Sequence, residues 1–216
     1  EAAGVATFTA PLDAVSGRDV TVNLSTSGTA TGGGTDYTLS SAAIVISAGN
    51  LSNTATVTAE QDVLDEDNET VIVDITSVSN GSESGVQQES TAITDDDAEP
   101  SVTLAVNNAT IAEAAGVATF TATLDAVSGL PVTVNLVLSG TAINATDYTP
   151  SGTSILIPAG TLSADITLTG VNDCDDDDGE TVSVDITTVG NGVEAGPGEQ
   201  QVTATITDDE ENPTDI

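Results

Sequence analysis

The segment Glu113-Ala-Ala-Gly-Val-Ala-Thr-Phe-Thr-Ala122 shows most clearly how this chain folds, and the same residues occur unchanged at Glu1–Ala10. From Ala118 through Phe120 to Leu124, apolar residues alternate with threonines. Successive side chains of a β-strand point to opposite faces, so this period of two predicts a strand with one buried face. Threonine at the remaining positions is typical of strands, because β-branched side chains pack well on a pleated surface.

The repeat continues along the rest of the chain. Leu12–Gly17 recurs as Leu124–Gly129, and Ile-Thr-Asp-Asp at 93–96 recurs at 206–209. The copies are about 112 residues apart, which is the length of a whole domain and not of a solenoid unit. We therefore predict two tandem domains at residues 1–98 and 99–211, with residues 212–216 as the start of a further linker or tail.

The second copy shows the strand pattern most clearly. Short alternating runs are separated by Gly, Ser and Asn, and no helical periodicity is present. The predicted strands are Ser101–Val106, Val117–Leu124, Val132–Leu138, Ser154–Ile157, Leu162–Leu168, Thr181–Val189 and Gln201–Thr207. Such strands in about a hundred residues predict an all-β, antiparallel two-sheet sandwich in each copy. The first copy has no counterpart of Ser101–Val106, so its first strand is absent from this chain.

Composition excludes most catalytic chemistry. The chain has 35 acidic residues, one basic residue and no His, which gives a net charge of −34. Without His or Lys it cannot form a Ser-His-Asp or Cys-His site, a Schiff base or a P-loop. Paired carboxylates serve glycosidases, but the only aromatic residues are two Phe and two Tyr, too few for a sugar platform. We predict a protein that is not an enzyme.

The high negative charge also limits the partners that the chain can bind. Nucleic acid is not an expected partner, because its phosphates would be repelled. No apolar stretch is long enough to span a bilayer, so direct membrane insertion is not expected. The lone Cys174 has no internal disulfide partner.

Acidic residues cluster at matching places in the two copies. The runs are Gln61-Asp-Val-Leu-Asp-Glu-Asp-Asn-Glu69 and Asn172-Asp-Cys-Asp-Asp-Asp-Asp-Gly-Glu180. Consecutive strands of an antiparallel sandwich run in opposite directions, so alternate loops share one end of the domain. The acids of both copies follow this parity: they fall before the second strand, between the third and fourth, between the fifth and sixth, and after the last. Four segments that are distant in sequence are therefore predicted to bring their carboxylates together.

Such a cluster requires a cation from outside the chain, because the carboxylates repel each other at short range. Ca²⁺ accepts six to eight oxygen ligands in flexible geometry, so neighbouring ions can share acids. Mg²⁺ fits less well because it prefers a small octahedral shell, and zinc is not expected without His. The sequence therefore predicts calcium, with more than one ion per domain.

These motifs together resemble the Calx-β domain family. The features are Glu-Ala-Ala-Gly-Val-Ala-Thr-Phe, Thr-Asp-Tyr after the third strand, an Asp-rich loop ending in Glu-Thr-Val, and Ile-Thr-Asp-Asp at the end. The resemblance implies tandem immunoglobulin-like sandwiches that bind clustered Ca²⁺ at one end. In the first copy it implies ligands at Glu1, Asp36, Asp62, Glu66, Glu69, Asp95, Asp96 and Asp97. In the second it implies ligands at Glu113, Asp147, Asp173, Asp175, Asp177, Glu180, Asp208 and Asp209, with Asp175 placed where the family often uses a main-chain carbonyl.

The predicted function follows from the place of the first cluster. It lies where the two domains join, so bound metal would neutralise repulsion and restrict hinge motion. We expect a calcium-rigidified structural or adhesive module outside the cell or at its surface. The chain is interpreted either as an excerpt of a tandem array or as a filament subunit whose missing edge strand comes from a neighbouring copy. The alternative is a pair of calcium-sensor domains that regulate an attached membrane protein.

Overall fold

The chain forms two compact units, Glu1–Asp97 and Ala98–Ile216, which we call unit 1 and unit 2. The computed structural model describes residues 4–172, 179–196 and 200–208. The described part of the chain consists of strands and loops, and it contains no helix long and apolar enough to cross a membrane. The predicted all-β, tandem-sandwich fold is confirmed.

Unit 1 has two sheets. Its strands are β1 Val5–Pro11, β2 Val20–Gly28, β3 Tyr37–Leu39, β4 Ala43–Ile46, β5 Ser52–Ala59, β6 Glu69–Ser79 and β7 Gln88–Ile93. One sheet has the order β1-β5-β3 and the other β4-β2-β6-β7, and the pairs within them are antiparallel. Strands β1 and β7 are therefore edge strands among the described residues.

Unit 2 repeats this arrangement with wider sheets. Its strands are β8 Ser101–Val106, β9 Thr110–Ala112, β10 Val117–Leu124, β11 Val132–Gly140, β12 Tyr148–Pro150, β13 Ser154–Ile157, β14 Ser163–Gly170, β15 Glu180–Gly190, β16 Val193–Glu194 and β17 Gln201–Thr207. The orders are β12-β14-β10-β8-β16 and β13-β11-β15-β17-β9. Two short pairs are parallel, β16 with β8 and β9 with β17. One sheet of unit 2 thus has β8 and β16 at its edge, and the other has β9, where the described residues of unit 1 have no corresponding strand.

The core of unit 2 lies between the inner faces of its sheets. Phe120 and Leu168 come from one sheet and Val134 and Val184 from the other, and all are almost fully buried. Unit 1 has two smaller clusters, one around Ile46 and one around Val71. The predicted strands match the structure closely, but β9, β12 and β16 were missed, because two or three residues are too few to show an alternation.

Candidate metal centre

Asp36 is held in a short loop directly before β3. Its backbone N–H donates to Thr31 O over 3.0 Å, and its Oδ2 accepts a hydrogen bond from the Thr31 N–H. Its carbonyl oxygen accepts from the backbone N–H of Glu60, the residue that follows β5 (2.9 Å). The side chain is only 7% exposed, so this loop places a carboxylate beside the acidic run that follows β5.

Three carboxylates of unit 1 meet at this point. Oxygen atoms of Asp36, Glu66 and Glu69 all lie within 4.8 Å of one another. Glu69 is the first residue of β6, where it pairs with Ile93 of β7, and this fixes its backbone. Like charges at this separation repel, and the chain's only basic residue is Arg18. The cluster therefore has the charge and the geometry of a cation site.

The segment after β7 adds the acids Asp95, Asp96 and Asp97. The backbone N–H of Asp95 donates to Asn68 Oδ1 (3.0 Å), which ties this segment to the acidic run. Gln61 Nε2 donates to Asp96 Oδ1 (3.0 Å) and to the carbonyl of Asp62 (3.3 Å). These amide contacts link the two acidic segments.

Two oxygens in this group are poorly solvated. Asp95 Oδ1 and Asp97 Oδ2 are buried, and neither accepts a hydrogen bond from a described residue. A buried carboxylate oxygen without a donor costs free energy, because it has lost its contacts with water. Both oxygens therefore have the free coordination that a metal ligand requires.

The acids after β7 differ in how easily they ionise. Loss of solvation and the neighbouring charges of Asp96, Asp95 and Asp62 raise the pKa of Asp97 above its ordinary value of 3.8. The hydrogen bond from Gln61 lowers the pKa of Asp96 below the same value. In the absence of a cation, Asp97 therefore keeps its proton to a higher pH than Asp96 does.

We expect Asp97→Asn to stabilise calcium-free unit 1 at neutral pH. A raised pKa in the folded state means that stability is present below the ordinary Asp range and is lost as pH rises through the folded pKa of Asp97. The Asn variant does not undergo this loss. Its thermal midpoint in a chelator should be a few degrees above wild type at pH 7 and equal to it near pH 3.

Asp96→Asn is the matched control for this substitution. The pKa of Asp96 is lowered, so its ionised form already stabilises the fold, and the variant should gain nothing at pH 7. Equal gains from both variants would mean that general charge reduction, and not the environment of Asp97, determines the effect.

Unit 2 repeats this construction. Asp147 is 5% exposed, its Oδ2 accepts from the Ile143 N–H, and its carbonyl accepts from the Val171 N–H (2.9 Å). The backbone N–H of Glu113, which is 3% exposed, donates to Thr207 O (3.0 Å), next to Asp208. Glu180 begins β15 and pairs with Ile206. The four described acids Glu113, Asp147, Glu180 and Asp208 therefore belong to one end of unit 2.

Five of the predicted ligands lie outside the described residues, namely Glu1, Asp173, Asp175, Asp177 and Asp209. Their roles remain predictions. Asp65, which is 8% exposed and lies in the acidic run of unit 1, was not among the predicted ligands. Gln61 was not among the predicted ligands either, but its amide connects Asp62 with Asp96. No local pattern separates the buried Asp65 from its exposed neighbour Asp67, so the sequence carried no signal for the first of these.

Comparison with known proteins supports these features. The family model described as the Calx-beta domain matches residues 1–97 and again residues 95–210. The chain belongs to the Calx-beta domain family. The two Calx-beta matches agree with the repeat in the sequence and together cover almost the whole chain. A comparison with curated protein sequences found no match.

Solved structures give weaker similarities. The apo-form Calx CBD1 domain is 18% identical, with a TM-score of 0.43, over 50% of this chain and 98% of its own. CBD12 from CALX1.2 is 14% identical, with a TM-score of 0.40, over 94% of this chain and 93% of its own. A two-domain protein of unknown function from Bacteroides fragilis is 10% identical, with a TM-score of 0.33, over 94% and 83%. The family assignment depends on the sequence match.

The residues present fit the calcium that Calx-beta domains bind. The donors are all oxygen atoms, as this hard cation requires. Two oxygens at about 2.3–2.6 Å from one Ca²⁺ are at most about 5 Å apart, and the oxygens of Asp36, Glu66 and Glu69 meet this limit. The buried oxygens of Asp95 and Asp97 have the same chemistry but are not part of this 4.8 Å group.

Proposed function

We propose that this chain binds calcium at the acidic end of each Calx-beta domain, with more than one ion per domain. The observation that carries the proposal is the group of three carboxylates, Asp36, Glu66 and Glu69, whose oxygens approach within 4.8 Å in a chain that has a single basic side chain. Bound Ca²⁺ would replace this repulsion by attraction and connect loops that are far apart in sequence.

We further propose a structural or adhesive role outside the cell or at its surface, in which calcium stiffens the chain. Asp95, Asp96 and Asp97 are the last residues before Ala98, where unit 2 begins. An ion held by these residues would immobilise the segment that leads into the next domain. This role suits both a tandem array and a filament of subunits. The absence of His and Lys supports a role without catalysis.

The second candidate function is a calcium sensor that regulates an attached membrane protein. The paired Calx-beta domains support it equally well. The two roles differ in the affinity they need. Sensors release calcium at about 10⁻⁷–10⁻⁵ M, whereas extracellular modules bind at about 10⁻⁴–10⁻³ M.

Calorimetric titration of the chelator-treated chain with Ca²⁺ tests binding and separates the two roles. We expect binding at both domains, with Mg²⁺ much weaker because its small octahedral shell suits this site poorly. Affinity in the extracellular range supports the structural role, and submicromolar affinity supports the sensor. Absence of binding at millimolar Ca²⁺ would refute the proposal.

Small-angle X-ray scattering in calcium and in chelator tests stiffening separately. The range of maximum dimensions that the chain adopts in solution should narrow when calcium is added, because fewer arrangements of the chain remain. Asp97→Asn serves as a variant with a weakened site at the segment before Ala98. If calcium binds but the distribution does not change, the binding proposal stands and the stiffening proposal is rejected.

A further inference from the structure

Two strands with identical sequences lie in different environments in the two units. Val5–Ala10 in β1 and Val117–Ala122 in β10 have identical sequences. Strand β10 pairs with β14 on one side and with β8 on the other. Strand β1 pairs with β5 alone among the described residues. As a result Phe120 is fully buried, whereas Phe8 is only half-buried.

An open groove of about 300 Å³ runs along this edge of unit 1. In unit 2 the corresponding space is closed by β9, which runs parallel to β17 and buries Ile111 to 5% exposure. Ile111 pairs with Ile206 there, and Ile93 is the residue of unit 1 that corresponds to Ile206. The groove is lined by apolar residues from three strands, Val5, Ala6, Val57, Ala59, Ala92 and Ile93, and by the polar residues Thr91, Thr94 and Asp96.

A glutamine is arranged in the same way beside both edges. In unit 2, Gln200 Nε2 donates to the Ala195 carbonyl (2.6 Å), and its Oε1 accepts from the Leu104 N–H of β8 (3.0 Å). In unit 1, Gln87 Nε2 donates to the Ser84 carbonyl (2.6 Å). The backbone N–H of each glutamine also donates to a glutamate, Glu194 in unit 2 and Glu83 in unit 1. Within the described residues no donor reaches Gln87 Oε1. The corresponding Gln200 Oε1 accepts a hydrogen bond from β8 in unit 2, so Gln87 Oε1 can accept one from a strand added to unit 1.

A glycine also keeps the space that a second strand needs. A Cβ on Gly116 would lie 2.4 Å from the carbonyl oxygen of Ala112, so glycine is required there because β9 passes so close. Gly4 occupies the corresponding position in unit 1. Its backbone carbonyl accepts from Ala59 N (2.9 Å), just as that of Gly116 accepts from Gly170 N (2.9 Å).

Two residues of unit 1 differ from their counterparts in unit 2 and limit how closely an added strand can approach β1. Ala59 replaces Gly170, where a Cβ would lie 2.6 Å from Ala112 O, so a strand like β9 must lie slightly further out in unit 1. Pro11 replaces Thr123 and has no N–H, which removes one ladder bond at the far end of β1. An incoming strand therefore pairs best over Val5–Ala10.

We propose that this groove binds an extended polypeptide segment of the Ser101–Ala112 type, supplied by a polypeptide outside residues 1–216. The segment adds one strand antiparallel to β1, then crosses to β7 and fills the groove with an aliphatic side chain in the place of Ile111. Main-chain hydrogen bonds would provide affinity and the alternate apolar side chains specificity.

The negative charge of the chain favours an uncharged segment in this groove. Ser101–Ala112 carries no ionisable side chain, whereas the chain as a whole has a net charge of −34. Pairing between the β1 strands of two copies would bring two such charges together. It would also leave the groove without an aliphatic residue. An uncharged apolar strand avoids both costs.

The first test measures binding of a labelled, end-capped peptide with the sequence of Ser101–Ala112 to the whole chain by fluorescence anisotropy. The control peptide carries Asn in place of Val102, Leu104 and Ile111, which retains the backbone and the zero charge. We expect the control to bind at least about tenfold more weakly. In the chain, Gln87→Ala should weaken binding and Ala59→Gly should strengthen it. Equal binding of both peptides would overturn the proposal.

The second test joins a copy of Ser101–Ala112 directly to Glu1. This junction reproduces the natural Ala112–Glu113 sequence, so no linker is needed. Backbone groups of Thr7 and Thr9 face the open edge, since the corresponding Thr119 O accepts from Asn107 N (3.1 Å). Their amide hydrogen exchange should slow at least about tenfold, because the added strand must unfold before exchange. The same fusion with the three Asn substitutions should not slow it.

A dimer of the unmodified chain in sedimentation, with no peptide binding and no slowing in the fusion, would overturn the proposal in favour of a second copy on this edge. If the chain is a monomer, binds no peptide and shows no slowing of amide exchange in the fusion, then no strand pairs with the edge of β1.

Discussion

Calcium should raise the thermal unfolding midpoint of each unit by about 10–20 °C when its concentration is a hundredfold above the dissociation constant. A ligand at that excess that binds only the folded state contributes about 2.7 kcal/mol. For a domain of this size, each kcal/mol moves the midpoint by about 4–8 °C. The ligands come from four separate segments, so the unfolded chain cannot assemble the site and binds little calcium. Differential scanning calorimetry in chelator and in CaCl₂ measures the shift.

Matched substitutions assign the shift to the two sites. Glu69 and Glu180 occupy the same place at the start of β6 and β15. Glu69→Gln should remove most of the calcium shift of unit 1 alone, and Glu180→Gln most of that of unit 2 alone, because each loses one charged ligand.

Salt separates specific binding from screening. Screening by NaCl at equal ionic strength weakens repulsion among the carboxylates without coordination. It should therefore give a much smaller shift than CaCl₂. Equal shifts in the two salts, or in wild type and both glutamine variants, would contradict a coordinated site.

Phe120→Ala should destabilise unit 2 by about 3–5 kcal/mol, whereas Phe8→Ala should cost unit 1 markedly less. Removal of a buried ring loses its transfer free energy and leaves a cavity, and together these give costs of this size. Phe120 has no exposed surface and lies in the middle of the unit 2 core. Phe8 packs only at the margin of its cluster and is half-buried. Urea unfolding followed for the two units separately measures both costs.

The comparison is well matched, because the two phenylalanines lie in identical strand sequences. A difference in cost therefore arises from tertiary surroundings and not from local propensity. If Phe8→Ala proved as costly as Phe120→Ala, the environment of Phe8 in solution would be closed, which requires a strand over β1. Addition of the Ser101–Ala112 peptide should raise the cost of Phe8→Ala for the same reason.

The strand pattern was predicted well from the sequence because each long strand buries one face. The predicted ranges of β8, β10, β13 and β17 coincide with the structure. Strands β9 and β16 were not predicted, because they are held by parallel pairing with β17 and β8 and not by a pattern of their own. Such short pairs form only when a distant strand provides the hydrogen-bonding partner.

The candidate site was predicted in part. Loop parity alone placed Asp36, the acidic run and the acids after β7 at one end of unit 1, and the oxygens of Asp36, Glu66 and Glu69 do lie together. The burial of Asp65 and the contact between Gln61 and Asp96 were not predicted. Both depend on how two loops pack together, and neither leaves a periodic signal in the sequence.

By itself, the sequence determined the two-domain repeat, the all-β fold and the concentration of acids at one end of each unit, because alternation and loop parity are local properties. Only the tertiary structure decided which copy of an identical strand is covered. Val117–Ala122 lies between β8 and β14, whereas Val5–Ala10 lies at an edge. Burial depends on neighbours supplied from elsewhere in the fold, so identical residues close the core in unit 2 and border an open groove in unit 1.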